Sequence, residues 1–144
     1  MIKRNKVMTI LKWMLTLAGI LILLLFLLRI NGRDRDLSGV PDAVGSTLSG
    51  GICSLTVTAN AERIGDRETF AREVIRMCRE NAFRSLRLST DVGGWPEELD
   101  MKVYLRREDI GEKEPVMRIL YKPADTDVDT SIADDPEKYI LTIE

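Results

Sequence analysis

The sequence predicts an α+β protein, with one N-terminal transmembrane helix followed by a small two-layer domain. Three observations predict this fold class: one long apolar run, one later stretch with helical spacing of apolar residues, and several short stretches that alternate apolar with polar residues. In the domain, one amphipathic helix covers a mostly antiparallel sheet of four to five strands. The predicted order of its elements is β-α-β-β-β, with a fifth strand that closes the chain.

The apolar run occupies residues 7–28 and is interrupted only by Lys12 and two threonines. At about 1.5 Å of rise per residue it reaches roughly 33 Å, enough for a bilayer core of about 30 Å. The competing interpretation is a cleaved signal peptide, in which small residues directly follow a shorter apolar region. Here Arg29 follows at once and the first small-residue pattern begins at Ala43. We therefore predict a retained signal-anchor helix over residues 7–30.

Charge is divided unevenly along the chain. Residues 1–35 hold seven Lys or Arg and one Asp, whereas residues 36–144 hold 14 basic and 22 acidic side chains. The basic residues 1–6 predict a cytoplasmic N-terminus. The chain is then a single-pass protein of the cell membrane whose C-terminal domain is extracytoplasmic. A domain of net charge −8 disfavours nucleic acid as a partner.

The rest of the chain divides into a linker and a domain. Residues 31–51 are rich in Gly, Ser and Asp, which is typical of a flexible linker. Residues 52–144 form the predicted α+β domain. Its helix follows Asp66 as N-cap and places an apolar stripe from Phe70 to Ala82 on one face. Its strands are predicted over residues 52–59, 86–92, 101–106, 116–122 and 139–144.

Histidine is absent from the sequence, which limits the chemistry available to the chain. Ser-His and Cys-His nucleophile pairs and the usual zinc ligand sets need that side chain. Paired carboxylates could still act as acid and base, but the spacing singles out no pair. We therefore expect no enzyme, no catalytic residue and no cofactor.

A partner surface is predicted on the sheet face that the helix leaves uncovered. The alternation of the strands places hydroxyls and basic side chains there, which suits an acidic partner; an ordinary solvated face is the alternative. Trp95 follows two glycines in a loop and either covers the end of the core or contacts a partner. The candidate contact residues are Arg87, Lys102, Tyr104, Arg106, Arg118 and Trp95.

Two cysteines are predicted to point into the domain. Cys53 lies on the inward side of the first predicted strand and Cys78 on the inward stripe of the helix. In an oxidising compartment they could form a disulfide that closes a loop of about 25 residues. Two buried free thiols are the alternative, because cysteine is often buried as a small apolar residue.

An acidic stretch near the C-terminus begins like a calcium loop. Asp125, Asp127 and Asp129 occupy the first three ligand positions of an EF-hand. Thr130 and Pro136 then stand where that loop needs glycine and a bidentate glutamate. The pattern favours a solvated acidic loop, with weak cation binding as the alternative.

These observations predict a membrane-anchored, non-catalytic interaction or assembly domain. Residues 7–30 bind the lipid bilayer, and the expected partner is another membrane or envelope protein. The alternative hypothesis is a tethered sensor that binds a cation or small ligand through residues 125–135. The sequence resembles no family closely enough to name one.

Overall fold

A computed structural model describes residues 2–31, 36–127 and 129–144. The chain forms two compact units, which divide between Arg35 and Asp36. The first unit contains the helix α1, Ile2–Asn31. Its stretch Lys3–Arg29 contains an 18-residue window with a mean hydropathy of 2.5 and is long and apolar enough to cross a membrane. The predicted apolar helix is confirmed, and its length and composition fit a membrane span or a signal anchor.

In its described residues, 36–127 and 129–144, the second unit contains one five-stranded sheet and one longer helix. The strands lie side by side in chain order, and among these described strands only β2 and β3 run parallel to each other. The helix α2 connects these two strands, as a parallel pair requires. The presence of the helix α2 beside a mixed sheet confirms the α+β class. The elements are β1 Asp42–Ser49, β2 Ile52–Thr58, α2 Arg67–Glu80, β3 Glu98–Tyr104, β4 Met117–Pro123 and β5 Tyr139–Ile143, with short 3₁₀ turns at Arg107–Asp109 and Pro136–Lys138.

Local signals in the sequence explain where α2 begins and ends. The Asp66 carboxylate accepts hydrogen bonds from the backbone N–H groups of Glu68 and Thr69, at 3.0 and 3.1 Å, which satisfies donors that the first helical turn leaves free. At the other end Asn81 adopts a left-handed conformation with φ of 53° and stops the helix. The predicted cap is confirmed.

The core lies between α2 and one face of the sheet. Alternate residues of neighbouring strands form continuous apolar rows, because their side chains point to the same face. The Cys78 Sγ of α2 lies 4.0 Å from the Met101 Sδ of β3, so helix and sheet are in contact there. The longest rows are Cys53–Leu99–Tyr121–Leu141 and Leu55–Met101–Ile119–Ile143.

The prediction of a flexible linker over residues 31–51 is wrong for most of its length. Residues 42–49 form β1, which pairs with β2 through a turn at Gly50 and Gly51, both at positive φ. Positive φ at two central residues suits the twist of a tight hairpin. The preceding residues are also bound to the domain, since the Gly39 N–H donates to the Asn60 carbonyl at 2.8 Å. The part of the predicted linker at 32–35 lies outside the described residues.

The prediction of a strand over residues 86–92 is also wrong. This segment follows α2 without pairing to the sheet. The Asn81 side chain accepts a hydrogen bond from the Leu88 N–H at 2.7 Å and donates to the Leu88 carbonyl at 3.0 Å. The Asn81 side chain therefore occupies the N–H and C=O groups of Leu88, which a neighbouring strand would need for pairing.

Candidate functional site

The sheet face opposite α2 is the candidate functional site, and we call it the open face. Residues directly opposite each other on β1 to β4 form polar rows across it, because they share the side of the sheet that faces away from the core. One row contains Thr47, Ser54, Asp100 and Leu120; the next contains Gly45, Thr56, Lys102 and Arg118. The open face is therefore polar, as predicted from the alternation of the strands.

Arg118 is the most constrained side chain on the open face. Its guanidinium donates to both oxygens of Asp100, at 2.9 and 2.8 Å, and lies 3.3 Å from a carboxylate oxygen of Glu144. The hydrogen bond from Arg118 lowers the pKa of Asp100, and the same bond raises the pKa of Arg118. A bidentate pair of this kind fixes the orientation of the guanidinium and neutralises its charge.

The prediction of a basic surface for an acidic partner is wrong in its charge. The open face carries Lys102, Arg118 and Lys122, but Glu98, Asp100 and Glu144 lie among them. Lys122 approaches Glu98 to 3.8 Å. Among the described residues Lys102 alone of these three cations has no ion pair within 4 Å. The face is charge-balanced, with one cation available to a ligand.

Three of the predicted contact residues lie on the open face and three do not. Lys102 and Tyr104 of β3 and Arg118 of β4 are on it. Arg87 lies beside the end of α2 and donates to the Asn81 carbonyl, and Arg106 follows β3 at the start of a 3₁₀ turn. Trp95 is half-buried and packs against the core. The structure therefore does not bring these six residues together as one surface.

An open depression of about 470 Å³ lies on the open face. Its lining includes Asp100, Lys102 and Arg118, together with mostly small residues on β1 and β2. It forms because glycine, serine and threonine stand next to long charged side chains in the same rows. The sequence prediction missed the β1 residues of this depression, although the Gly50–Gly51 pair is a recognised hairpin signal. The residues of β1 and β2 that line it, and that we call its floor, are Gly45, Ser46, Thr47, Ser54, Leu55 and Thr56.

Both cysteines are free and buried. Burial raises the pKa of the Cys53 thiol and, more strongly, that of the Cys78 thiol. The structure therefore has two buried free thiols, one of the two interpretations that the sequence leaves open, and the possible disulfide between Cys53 and Cys78 is not present. A neutral thiol packed among apolar side chains acts as a small apolar residue.

The acidic loop does not assemble a cation site among the described residues. Within residues 2–31, 36–127 and 129–144, no group of three His, Cys, Asp or Glu side chains could hold a metal ion. Asp125 instead accepts a hydrogen bond from the Asp127 N–H at 3.0 Å, which is a local turn. Asp127 and Asp129 are exposed. The cation-binding alternative built on Asp125, Asp127 and Asp129 gains no support here.

Comparison with known proteins finds no match: no protein family, no curated protein and no solved structure is significantly similar to this chain. Its function is therefore argued from its own residues.

Proposed function

We propose that this protein is a membrane-anchored, non-catalytic interaction domain that binds another membrane or envelope protein through its open face. In this proposal α1 is retained as the anchor, the N-terminus is cytoplasmic and the sheet domain is extracytoplasmic. The observation that carries the proposal is the depression beside Lys102. It combines an available cation with a floor of hydroxyl groups, next to a rigid Arg118–Asp100 pair.

The chemistry of this depression suits recognition. Hydroxyls of Thr47, Ser54 and Thr56 can donate or accept hydrogen bonds, and the Lys102 ammonium donates to a carboxylate or carbonyl oxygen. The Arg118–Asp100 pair adds a fixed donor and acceptor pattern. Because opposite charges on the face balance, selectivity comes from matching these groups in position and not from a general attractive field.

The proposal is tested with a photo-reactive amino acid at Ser54, which is exposed in the depression, in the full chain in its native membranes. The matched control carries the same group at Arg72, which is exposed on the outer side of α2. We expect a discrete covalent adduct with another protein from position 54 and not from position 72. The change Lys102→Glu should abolish the adduct.

Two results would contradict the proposal. Equal adducts from positions 54 and 72 would show non-specific collision, and an adduct that survives Lys102→Glu would exclude the depression as the contact. The orientation of the chain in the membrane is tested by a separate measurement. Protease added outside intact cells should remove the sheet domain, and protection of that domain would reverse the proposed topology.

A further inference from the structure

The polar residues of α1 lie on one side of the helix. Within its apolar run, the residues that are not large and apolar are Thr9, Lys12, Thr16, Ala18 and Gly19. All of these except Ala18 follow one another at spacings of three or four residues, which places them within an arc of about 80° at 3.6 residues per turn. We call this stripe of Thr9, Lys12, Thr16 and Gly19 the seam. A helix that only anchors the chain has no need to gather its polar residues on one side.

Lys12 is the member of the seam that α1 cannot satisfy by itself. It lies about 8 Å along the helix axis from Val7, where the apolar run begins. The helix Ile2–Asn31 contains no Asp or Glu, so it provides no counter-charge of its own. Ionised side chains within membrane spans are rare and usually pair with another group. The Lys12 ammonium therefore needs an acceptor from outside α1.

The other members of the seam suit close contact with a second helix. The Thr9 hydroxyl donates to the Asn5 carbonyl at 2.8 Å, and the Thr16 hydroxyl donates to the Trp13 carbonyl at 2.9 Å. Both hydroxyl protons are thus used within α1. Threonine and glycine are small, so at Thr9, Thr16 and Gly19 the backbone of a neighbouring helix can approach closely. The seam combines a surface for close packing with one unpaired cation.

We propose that the seam packs against a transmembrane helix of another protein, and that this helix carries an aspartate or glutamate at the depth of Lys12. A carboxylate there accepts charge-assisted hydrogen bonds from the ammonium and neutralises its charge. A second copy of this chain does not meet the requirement. Copies inserted in the same direction bring two lysines to one depth, where they repel, and α1 holds no carboxylate. This contact rests on retention of α1 in the membrane, as the proposed function holds, and adds an interface within the bilayer.

Lipid head groups are the competing acceptor for Lys12. Its side chain leans toward the N-terminus of α1 and is long enough to extend the ammonium toward the membrane surface. In that arrangement lipid alone surrounds α1, and every side of the helix meets the same neighbours. The two arrangements therefore differ in whether one side of α1 contacts a protein, and in whether that contact depends on the charge at position 12.

A photo-reactive amino acid at Thr16, in the full chain in its native membranes, tests the seam. The matched control carries the same group at Ala18, which lies at nearly the same depth on the opposite side of the helix. We expect an adduct with another protein from position 16 and at least fivefold less from position 18. Lys12→Leu should lower the adduct from position 16 at least fivefold, whereas Lys12→Arg, which keeps the charge, should preserve it. Leucine makes the run more apolar, so a loss of the adduct cannot arise from failure to insert.

The chemistry of the partner is tested by exchanging the charges. The protein in the adduct should contain an Asp or Glu in a membrane-spanning helix, and replacing that residue by lysine should abolish the adduct with the parent chain. Lys12→Asp should then restore it. An adduct with lipid alone, a dimer of this chain, a partner span without Asp or Glu, or failure of the exchange would overturn the proposal. Equal adducts from positions 16 and 18, or an adduct that survives Lys12→Leu, would also overturn it.

The contact within the membrane and the contact at the open face fail separately. The adduct from Ser54 requires Lys102, whereas the adduct from position 16 requires Lys12. Loss of one adduct while the other persists removes only the corresponding proposal. Cleavage of α1, seen as a shorter mature chain, would overturn the seam contact and the proposed anchor, and would leave the adduct from Ser54 as the test of the open face.

Discussion

Replacement of Asp42 by alanine measures how firmly β1 is held in the domain. Asp42 is 3% exposed, and its Oδ1 accepts hydrogen bonds from the N–H groups of Arg84 and Ser85, at 2.9 and 3.1 Å. Its Oδ2 accepts a third from the Ser85 hydroxyl. Asp42→Ala leaves two backbone donors without a partner in a part-buried place, at about 1–3 kcal/mol each. Because the Arg84 side chain is exposed, water can reach the freed N–H groups. We therefore expect the lower part of that range for each of the two donors, roughly 3 kcal/mol in total.

The assay is urea unfolding of residues 36–144, the second compact unit, followed by the fluorescence of Trp95, which is its one tryptophan. A loss of about 3 kcal/mol should also lower the melting temperature by about 10 °C for a domain of this size. The matched control Asp42→Asn keeps the acceptor for both N–H groups and loses only the charge, so we expect a cost of about 1 kcal/mol.

The result that refutes this reasoning is equal stability of Asp42→Ala and the parent domain, within about 0.5 kcal/mol, which is the usual range for an exposed loop. Residues 42–49 would then behave as the flexible linker that their composition suggests. A larger loss of unfolding free energy for Asp42→Ala than for Asp42→Asn would instead show that the carboxylate joins β1 to the segment after α2.

Three further predictions follow from single contacts. The hydrogen bond from Arg84 lowers the pKa of Asp36 from 3.8 to about 2. The stabilisation by this carboxylate is therefore complete above about pH 4 and is lost as the pH falls toward 2. Because Arg84 is largely exposed, the loss in acid unfolding should be small, and Arg84→Ala should reduce it while the hydrogen bond from the Ser38 N–H remains. Cys78→Ser should cost about 2 kcal/mol in urea unfolding, and more than Cys78→Ala, because the hydroxyl would be fully buried beside the Met101 sulfur, which is a poor hydrogen-bond partner. Arg118→Met should raise the pKa of Asp100 toward its usual value, as carbon-detected NMR titration would show, and an unchanged pKa would mean that the two side chains do not bond in solution.

Local signals explain why the sequence predicts α2 and four strands correctly. The Asp66 cap and the apolar stripe of α2 depend on residues three or four apart, and alternation within β2 to β5 reports which side of each strand is buried. These features need no knowledge of the rest of the fold. The same reasoning places Lys102, Tyr104 and Arg118 on one face.

The errors come from contacts between distant residues or from a side chain that overrides a pattern. The small polar residues of β1 carry little alternation, and their strand conformation depends on pairing with β2. Residues 86–92 have the alternation of a strand, but the Asn81 side chain takes the backbone groups of Leu88. The conformation of these two segments therefore could not be inferred from periodicity alone.

The charge of the open face could not be predicted for a related reason. The pairing of Arg118 with Asp100 and Glu144 is set by the register of β3, β4 and β5, which bring these residues together from three separate segments. Counting basic residues on the strands identifies the cations and leaves out the carboxylates between them. Among the described residues, Lys102 is the one of the three cations on that face without an ion pair within 4 Å.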